Sequence, residues 1–139
     1  VGSEYRVTAL SLNGQDSGGT VALANGADLE LRVELHSPDD RAPIVTLGIV
    51  RADGTPVYGL SSEMEGVVGD RLGPGRYAFG LCFEAPALLP GSYTLRAHAM
   101  DPEGLRLFDT VCCDFLVRGE SREFGLVRLP HRWLSGVQG

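Results

Sequence analysis

Along most of this chain apolar and polar residues alternate with a period of two, and turn-forming residues interrupt the alternation at short intervals. Successive side chains on a strand point to opposite faces, so the pattern predicts half-buried β-strands; helical periodicity is nearly absent. The clearest segment puts Leu29, Leu31, Val33 and Leu35 on one face and Glu30, Arg32, Glu34 and His36 on the other. A slip of one residue would bury the charges, which fixes its register. An earlier run, Tyr5 to Leu12, ends at the tight-turn dipeptide Asn13-Gly14 inside a polar stretch that continues to Gly19. A short piece follows from Thr20 to Leu23.

Ile44 to Val50 is almost wholly apolar, as expected of a central strand. Asp53-Gly54 turns the chain into Val57-Tyr58, and Gly59 to Gly75 reads as a long loop with room for one short edge strand. Tyr77, Phe79, Leu81 and Phe83 alternate again, as do Tyr93, Leu95, Ala97 and Ala99. Leu105 to Val117 predicts a long strand carrying a bulge, and Gly125 to Leu129 a last strand before a tail at Pro130. Short strands in this number, with turn signals every eight to twelve residues or so, predict an all-β, immunoglobulin-like antiparallel β-sandwich, one domain over residues 1–139. The segment from Leu88 to Leu95 fits a tyrosine corner built on Tyr93; the other reading is a plain core tyrosine, and both are structural.

Composition narrows the function classes. Hydrophobic residues make up 43%, enough for a core, and no apolar run reaches the roughly 18 residues that a membrane-spanning helix needs. The net charge is −6, and all twelve basic residues are arginines scattered among eighteen acids. Binding to nucleic acid or to an anionic membrane needs clustered cations, so neither is expected. Cys82, Cys112 and Cys113 make an odd set with an adjacent pair whose side chains diverge on a strand. Free thiols point to a reducing compartment, with a bridge from Cys82 to one of the pair as the alternative. The start lacks an initiator methionine and a signal-peptide pattern, so the chain reads as a piece of something longer.

Catalytic chemistry finds little support. There is no phosphate-cradling glycine loop and no GxSxG. His36, Asp39 and Asp40 lie close in sequence, but one histidine beside two loop acids is a common chance grouping; His98 and His131 lack a second ligand at a telling spacing. Acids are plentiful, yet no pair stands out for glycoside hydrolysis. A non-catalytic domain without metal or cofactor is expected.

The order of the C-terminal pieces carries more. Leu-Pro-Gly-Ser-Tyr-Thr-Leu (89–95) and Asp-Pro-Glu-Gly-Leu-Arg-Leu-Phe-Asp (101–109) are followed by Phe-Leu-Val (115–117) and by Gly-Leu-Val-Arg-Leu-Pro-His-Arg-Trp (125–133). With Val-Thr-Ala-Leu-Ser-Leu-Asn-Gly (7–14), Gly-Ala-Asp-Leu-Glu-Leu-Arg-Val (26–33) and Gly-Ile-Val-Arg-Ala-Asp-Gly-Thr-Pro-Val-Tyr-Gly (48–59), the set resembles the C-terminal domain of Wzt-type ABC transporter subunits, which export O-antigen polysaccharide. The resemblance covers nearly the whole chain. It implies a carbohydrate-recognising sandwich behind an N-terminal ATPase domain that this chain lacks, held at the cytosolic face of the inner membrane by a transmembrane exporter subunit. It also implies recognition of the finished polymer at its non-reducing end, and a homodimer with exchange of a terminal strand.

If the strands take an immunoglobulin-like order, segments 44–50, 93–100 and 108–117 share a sheet whose outer face carries Thr46, Gly48, Arg96, His98, Cys112 and Asp114. Arginine, histidine and aspartate present planar donors and acceptors to sugar hydroxyls, and Gly48 leaves room for a ring. The competing reading is a solvated face with an Arg–Asp pair across strands. Tyr58 is the best aromatic platform, or else an edge tyrosine packed over the core. Trp133 stacks on sugar, docks the tail or packs at a dimer contact, and His131 fixes a strand end. Two further functions compete: a structural or adhesive immunoglobulin-like module that binds protein, and an extracytoplasmic glycosidase accessory domain.

Overall fold

A computed structural model describes residues 3–136. The alternating segments form β1 (Arg6–Leu12), β2 (Gln15–Asp16), β3 (Val21–Leu23), β4 (Leu29–His36), β5 (Ile44–Arg51), β6 (Pro56–Ser61), β7 (Asp70–Gly73), β8 (Arg76–Phe83), β9 (Gly91–Met100) and β10 (Leu107–Val117). They build two five-stranded sheets, in the orders β2-β1-β4-β8-β7 and β3-β10-β9-β5-β6. This is the strand order of an immunoglobulin-like sandwich with short strands added at the edges. Every pairing is antiparallel except that of β3, which runs parallel to the end of β10 with Val21 opposite Phe115.

The apolar half of each alternation faces the space between the sheets. Leu29, Leu31, Val33 and Leu35 from β4 meet Val45, Leu47 and Ile49 from β5, Leu95, Ala97 and Ala99 from β9, and Phe115 from β10 in one continuous core. Phe115 is fully buried and stacks on Tyr93 with ring centroids 5.5 Å apart. The Tyr93 hydroxyl donates to the Leu89 carbonyl at 2.5 Å, so the tyrosine corner is present.

At one end of the sandwich the loop after β4 is clamped by ions. Arg41 donates to Asp39 at 2.7 Å and also reaches Glu103 of the β9–β10 turn, while Arg71 of β7 donates to Asp40 at 2.8 Å. Gly75, in the β7–β8 turn at φ +66°, donates its N–H to the same Asp40 at 2.9 Å. A side chain there would meet the Ser37 carbonyl at 2.8 Å, so both the backbone angle and the space require glycine. The grouping of His36, Asp39 and Asp40 therefore has its two carboxylates engaged by arginines.

Three local expectations change. The polar stretch after Asn13 contains β2, because the Asn13-Gly14 turn folds Gln15 and Asp16 back on Ser11 and Leu12. The expected loop from Gly59 begins as strand: β6 continues to Ser61 against Thr46, and the short edge strand within the loop is β7. Residues 125–129 form no strand. They make a single bridge, Val127 opposite Leu88, with Leu89 N–H donating to Leu126 O at 2.9 Å and Arg128 N–H to Ala87 O at 2.7 Å. The partner here is a proline-flanked crossover rather than a strand, so no ladder propagates. The bulge expected in the last long strand falls between Leu107 and Asp109.

Candidate functional site

The sheet β10-β9-β5-β6 brings Thr46, Gly48, Arg96, His98 and Asp114 onto its outer face, with Cys112 among them. The reason is register. With Val45, Leu47 and Ile49 buried, Thr46 and Gly48 turn outward; with Leu95, Ala97 and Ala99 buried, Arg96 and His98 do the same; with Cys113 and Phe115 buried, Cys112 and Asp114 follow. The ladders align these residues in rows. Thr46, His98 and Thr110 lie opposite one another on β5, β9 and β10; Gly48, Arg96 and Cys112 form the next row, and Thr94 faces Asp114 in the third.

The rows differ chemically. His98 Nδ1 lies 2.8 Å from the Thr110 hydroxyl, and partial burial together with the Arg96 charge holds its pKa below the usual histidine range. The ring is therefore neutral at pH 7, able to donate from one nitrogen and accept at the other. Thr46 turns its hydroxyl to the Met100 sulfur at 3.0 Å. The Thr94 hydroxyl donates to Asp114 at 2.7 Å, and among the described residues no ion pair joins Arg96 to Asp114 or to another acid. An Arg–Asp pair across these strands is thus absent, and the guanidinium is left facing solvent.

Gly48 has a second glycine beside it. Gly59 of β6 is its ladder partner, and a Cβ on either would meet only backbone carbonyl oxygens, at 3.8 Å for Gly48 and 3.6 Å for Gly59. The two leave a strip of bare backbone across two strands, bordered by Thr46 and Ser61 on one side and by Arg96 at its inner end. Gly59, Ser61 and Thr110 were missed by sequence reasoning. Gly59 and Ser61 alternate with Tyr58 and Leu60, which was the available signal; the glycine masked it, and the bulge at Val57, which packs against the core, ends the alternation.

Tyr58 does not join the other five. It pairs with Ile49, an inward-facing residue, and therefore lies on the opposite side of β6, where its ring meets Phe83 of the other sheet edge-on at 6.1 Å. It remains 55% exposed at the open side of the sandwich. Near it a small apolar recess of about 70 Å³ opens between Leu47, Leu60, Phe79 and Leu81. Trp133 is 93% exposed and Phe124 97%, so neither packs on its own chain; His131 Nδ1 lies 2.8 Å from the Leu129 carbonyl.

All three cysteines are free, with Cys82 and Cys112 exposed and Cys113 buried. Among the described residues no helix is long and apolar enough to cross a membrane, and no group of three acidic, histidine or cysteine side chains is placed to hold a metal.

Comparison with solved structures gives likenesses at low identity. A β-glucosidase from Listeria innocua in complex with glucose aligns with 84% of this chain at 12% identity and a TM-score of 0.52, and this chain spans only 16% of it. At that identity the likeness speaks to the fold alone. The soluble domain of PmoD from a Methylocystis species aligns with 82% of this chain and 90% of its own length at 14% identity, with a TM-score of 0.38, too low to support an argument. Among curated proteins the sequence finds no match. Residues 3–129, nearly the whole sandwich just described, match the model of the Wzt C-terminal domain, and the chain belongs to that family of domains carried by ABC transporter subunits.

Proposed function

We propose that this domain binds O-antigen polysaccharide, without acting on it chemically, so that an ABC transporter exports the polymer. Membership of the Wzt C-terminal domain family carries the reading. In this proposal residues 1–139 are one recognition domain of a subunit whose ATPase domain lies elsewhere in the parent chain. The domain works in the cytoplasm, at the cytosolic face of the inner membrane beside the transmembrane exporter. It engages the polymer at the non-reducing end, and it works as a homodimer.

The outer face of the β10-β9-β5-β6 sheet is the proposed contact surface, with Thr46, Gly48, Arg96, His98 and Asp114 as its polar groups. Three features support the choice. Arg96 is an uncommitted planar donor, His98 offers a donor and an acceptor at neutral pH, and the glycine strip leaves a flat floor for a sugar ring. Such a surface satisfies hydroxyls in pairs, and binding is limited by the water both partners must shed. Tyr58 supplies a separate aromatic platform on the other side of β6.

The test is binding of the cognate polysaccharide, by calorimetry or affinity electrophoresis, to Arg96→Ala and His98→Ala. Both variants should lose binding with melting temperature nearly unchanged; retained binding in both removes this face from the proposal. A second reading, an immunoglobulin-like module that associates with protein, is favoured by the bare Phe124 and Trp133. Capture on immobilised polysaccharide separates the two.

A further inference from the structure

We infer that the polymer bound here is acidic and that Arg96 takes a carboxylate or a phosphate of it over Gly48; this rests on the polysaccharide reading above and adds the ligand's charge to it. Several strand arginines are neutralised by the chain itself. Arg32 and Arg76 share Glu34, Arg51 holds Asp53, and Arg71 holds Asp40. Arg96 lies on β9, with a strand on each side, where a cross-strand acid is the ordinary partner. Its ladder neighbours are instead Gly48 on β5 and Cys112 on β10. One has no side chain and the other a thiol. The acid of this face, Asp114, stands one row away, and its carboxylate already accepts from the Thr94 hydroxyl at 2.7 Å. The unanswered charge on the face is therefore positive.

The net charge of −6 does not reverse this choice, because the acids lie elsewhere. Glu30 and Glu34 are on the outer face of the opposite sheet, and Asp39, Asp40 and Glu103 are at the clamped end. Stacked sheets stand about 10 Å apart, and exposed charges beyond a Debye length of about 8–10 Å are largely screened. An anion over Gly48 meets the guanidinium first.

The local shape suits a planar anion. A guanidinium presents a fork of N–H donors that matches two oxygens of a carboxylate or phosphate. A Cβ on Gly48 would meet only the Tyr58 carbonyl, at 3.8 Å, so the space over the backbone is open to the ring that carries the anion. Thr46 and His98 stand in the adjoining row for the hydroxyls of the same sugar.

His98 serves as an internal reporter. Burial and the Arg96 charge depress its pKa. The charged and titratable groups on the face around it are Arg96 on its own strand and Cys112 and Asp114 on β10; β5 contributes only Thr46 and Gly48 there. An anion seated on Arg96 cancels the repulsion and should raise the His98 pKa, whereas a neutral sugar desolvates the ring further and should lower it.

Composition analysis of the cognate polysaccharide is the first test, and calorimetric titration the second. Three forms are compared: the native polymer, polymer whose carboxyl groups are reduced to alcohols with carbodiimide and borohydride, and polymer stripped of phosphate esters with cold aqueous hydrofluoric acid. One treatment should lower affinity about tenfold or more, and which one does so names the anion. Arg96→Gln should bind native and treated polymer with the same reduced affinity, and Arg96→Lys should restore part of the preference for the native form. Imidazole resonances followed through pH should show the His98 pKa rising with native polymer. A polymer without anionic groups, parent affinity that neither treatment changes, or a His98 pKa that falls on binding overturns the inference and leaves the polysaccharide reading standing. Failure of the native polymer to bind at all overturns that reading, and the inference with it.

Discussion

Arg96 on β9 stands directly opposite Gly48 on β5, so a guanidinium with no ion-pair partner among the described residues borders a position with no side chain. The contrast with Arg51 is instructive. That arginine, at the end of β5, is tied to Asp53 at 2.8 Å and is committed to its own turn. An arginine held over open backbone keeps its five donors for something from outside.

Filling the open position should therefore separate binding from folding. Gly48→Leu adds a β-compatible side chain into space where a Cβ makes ordinary contact at 3.8 Å. Glycine is a poor strand interior residue, so stability should hold or rise by up to about 1 kcal/mol. Polysaccharide binding should fall at least tenfold. Equilibrium urea unfolding and calorimetric titration measured on the same preparation check both halves.

The tyrosine corner predicts the opposite pattern. Tyr93→Phe keeps the stack on Phe115 but removes the hydroxyl that satisfies the Leu89 carbonyl. A buried acceptor left without its donor should cost about 1–3 kcal/mol. Unfolding experiments should show that loss, with polysaccharide binding unchanged in the folded protein.

Acid should weaken the clamp at the loop end. Hydrogen bonds from Arg41 and Tyr5 hold the Asp39 carboxyl well below the usual carboxylate range, and Arg71 with the Gly75 N–H lowers that of Asp40. Both folded-state values are depressed, so their contribution to stability is present above the unfolded value near 3.9 and is lost as pH falls through the folded one. Asp39→Asn should be less stable than the parent at pH 7, and the difference should begin to shrink below about pH 4 and vanish only once pH has fallen past the depressed folded-state value. Thermal melts across that range decide it; because the pairs are exposed, added salt should shrink the difference at pH 7 as well.

Thiol chemistry should follow the sheet faces. Cys113 points into the core, and burial pushes its thiol pKa up; Cys82 and Cys112 point outward. A thiol reagent should titrate two groups in the native protein and the third only on unfolding. Partial desolvation, helped by the neighbouring carboxylates, also raises the Cys82 pKa, so its reaction should accelerate as pH rises above 8.

The strand segments and their buried faces were legible because a β-strand writes its environment into the sequence with a period of two. Leu29 to Leu35, Val45 to Ile49 and Leu95 to Ala99 each point one way for that reason alone. An assumed strand order then placed Thr46, Gly48, Arg96, His98 and Asp114 on one face, and the ladders agree with it. Tyr58 was harder. A single residue's side on an edge strand depends on the register with β5, which Gly59 and the bulge near Val50 obscure.

What the sequence determined by itself is which residues are buried and which are turned to water, since alternation and turn chemistry are local. Tertiary structure alone decided which polar residues become neighbours: that His98 meets Thr110, that Arg96 finds no acid among the described residues, that Gly48 lies beside Gly59, and that residues 125–129 have no strand to pair with. Those relations join segments far apart in the chain, and they follow from the pairing of whole strands rather than from the preferences of any one of them.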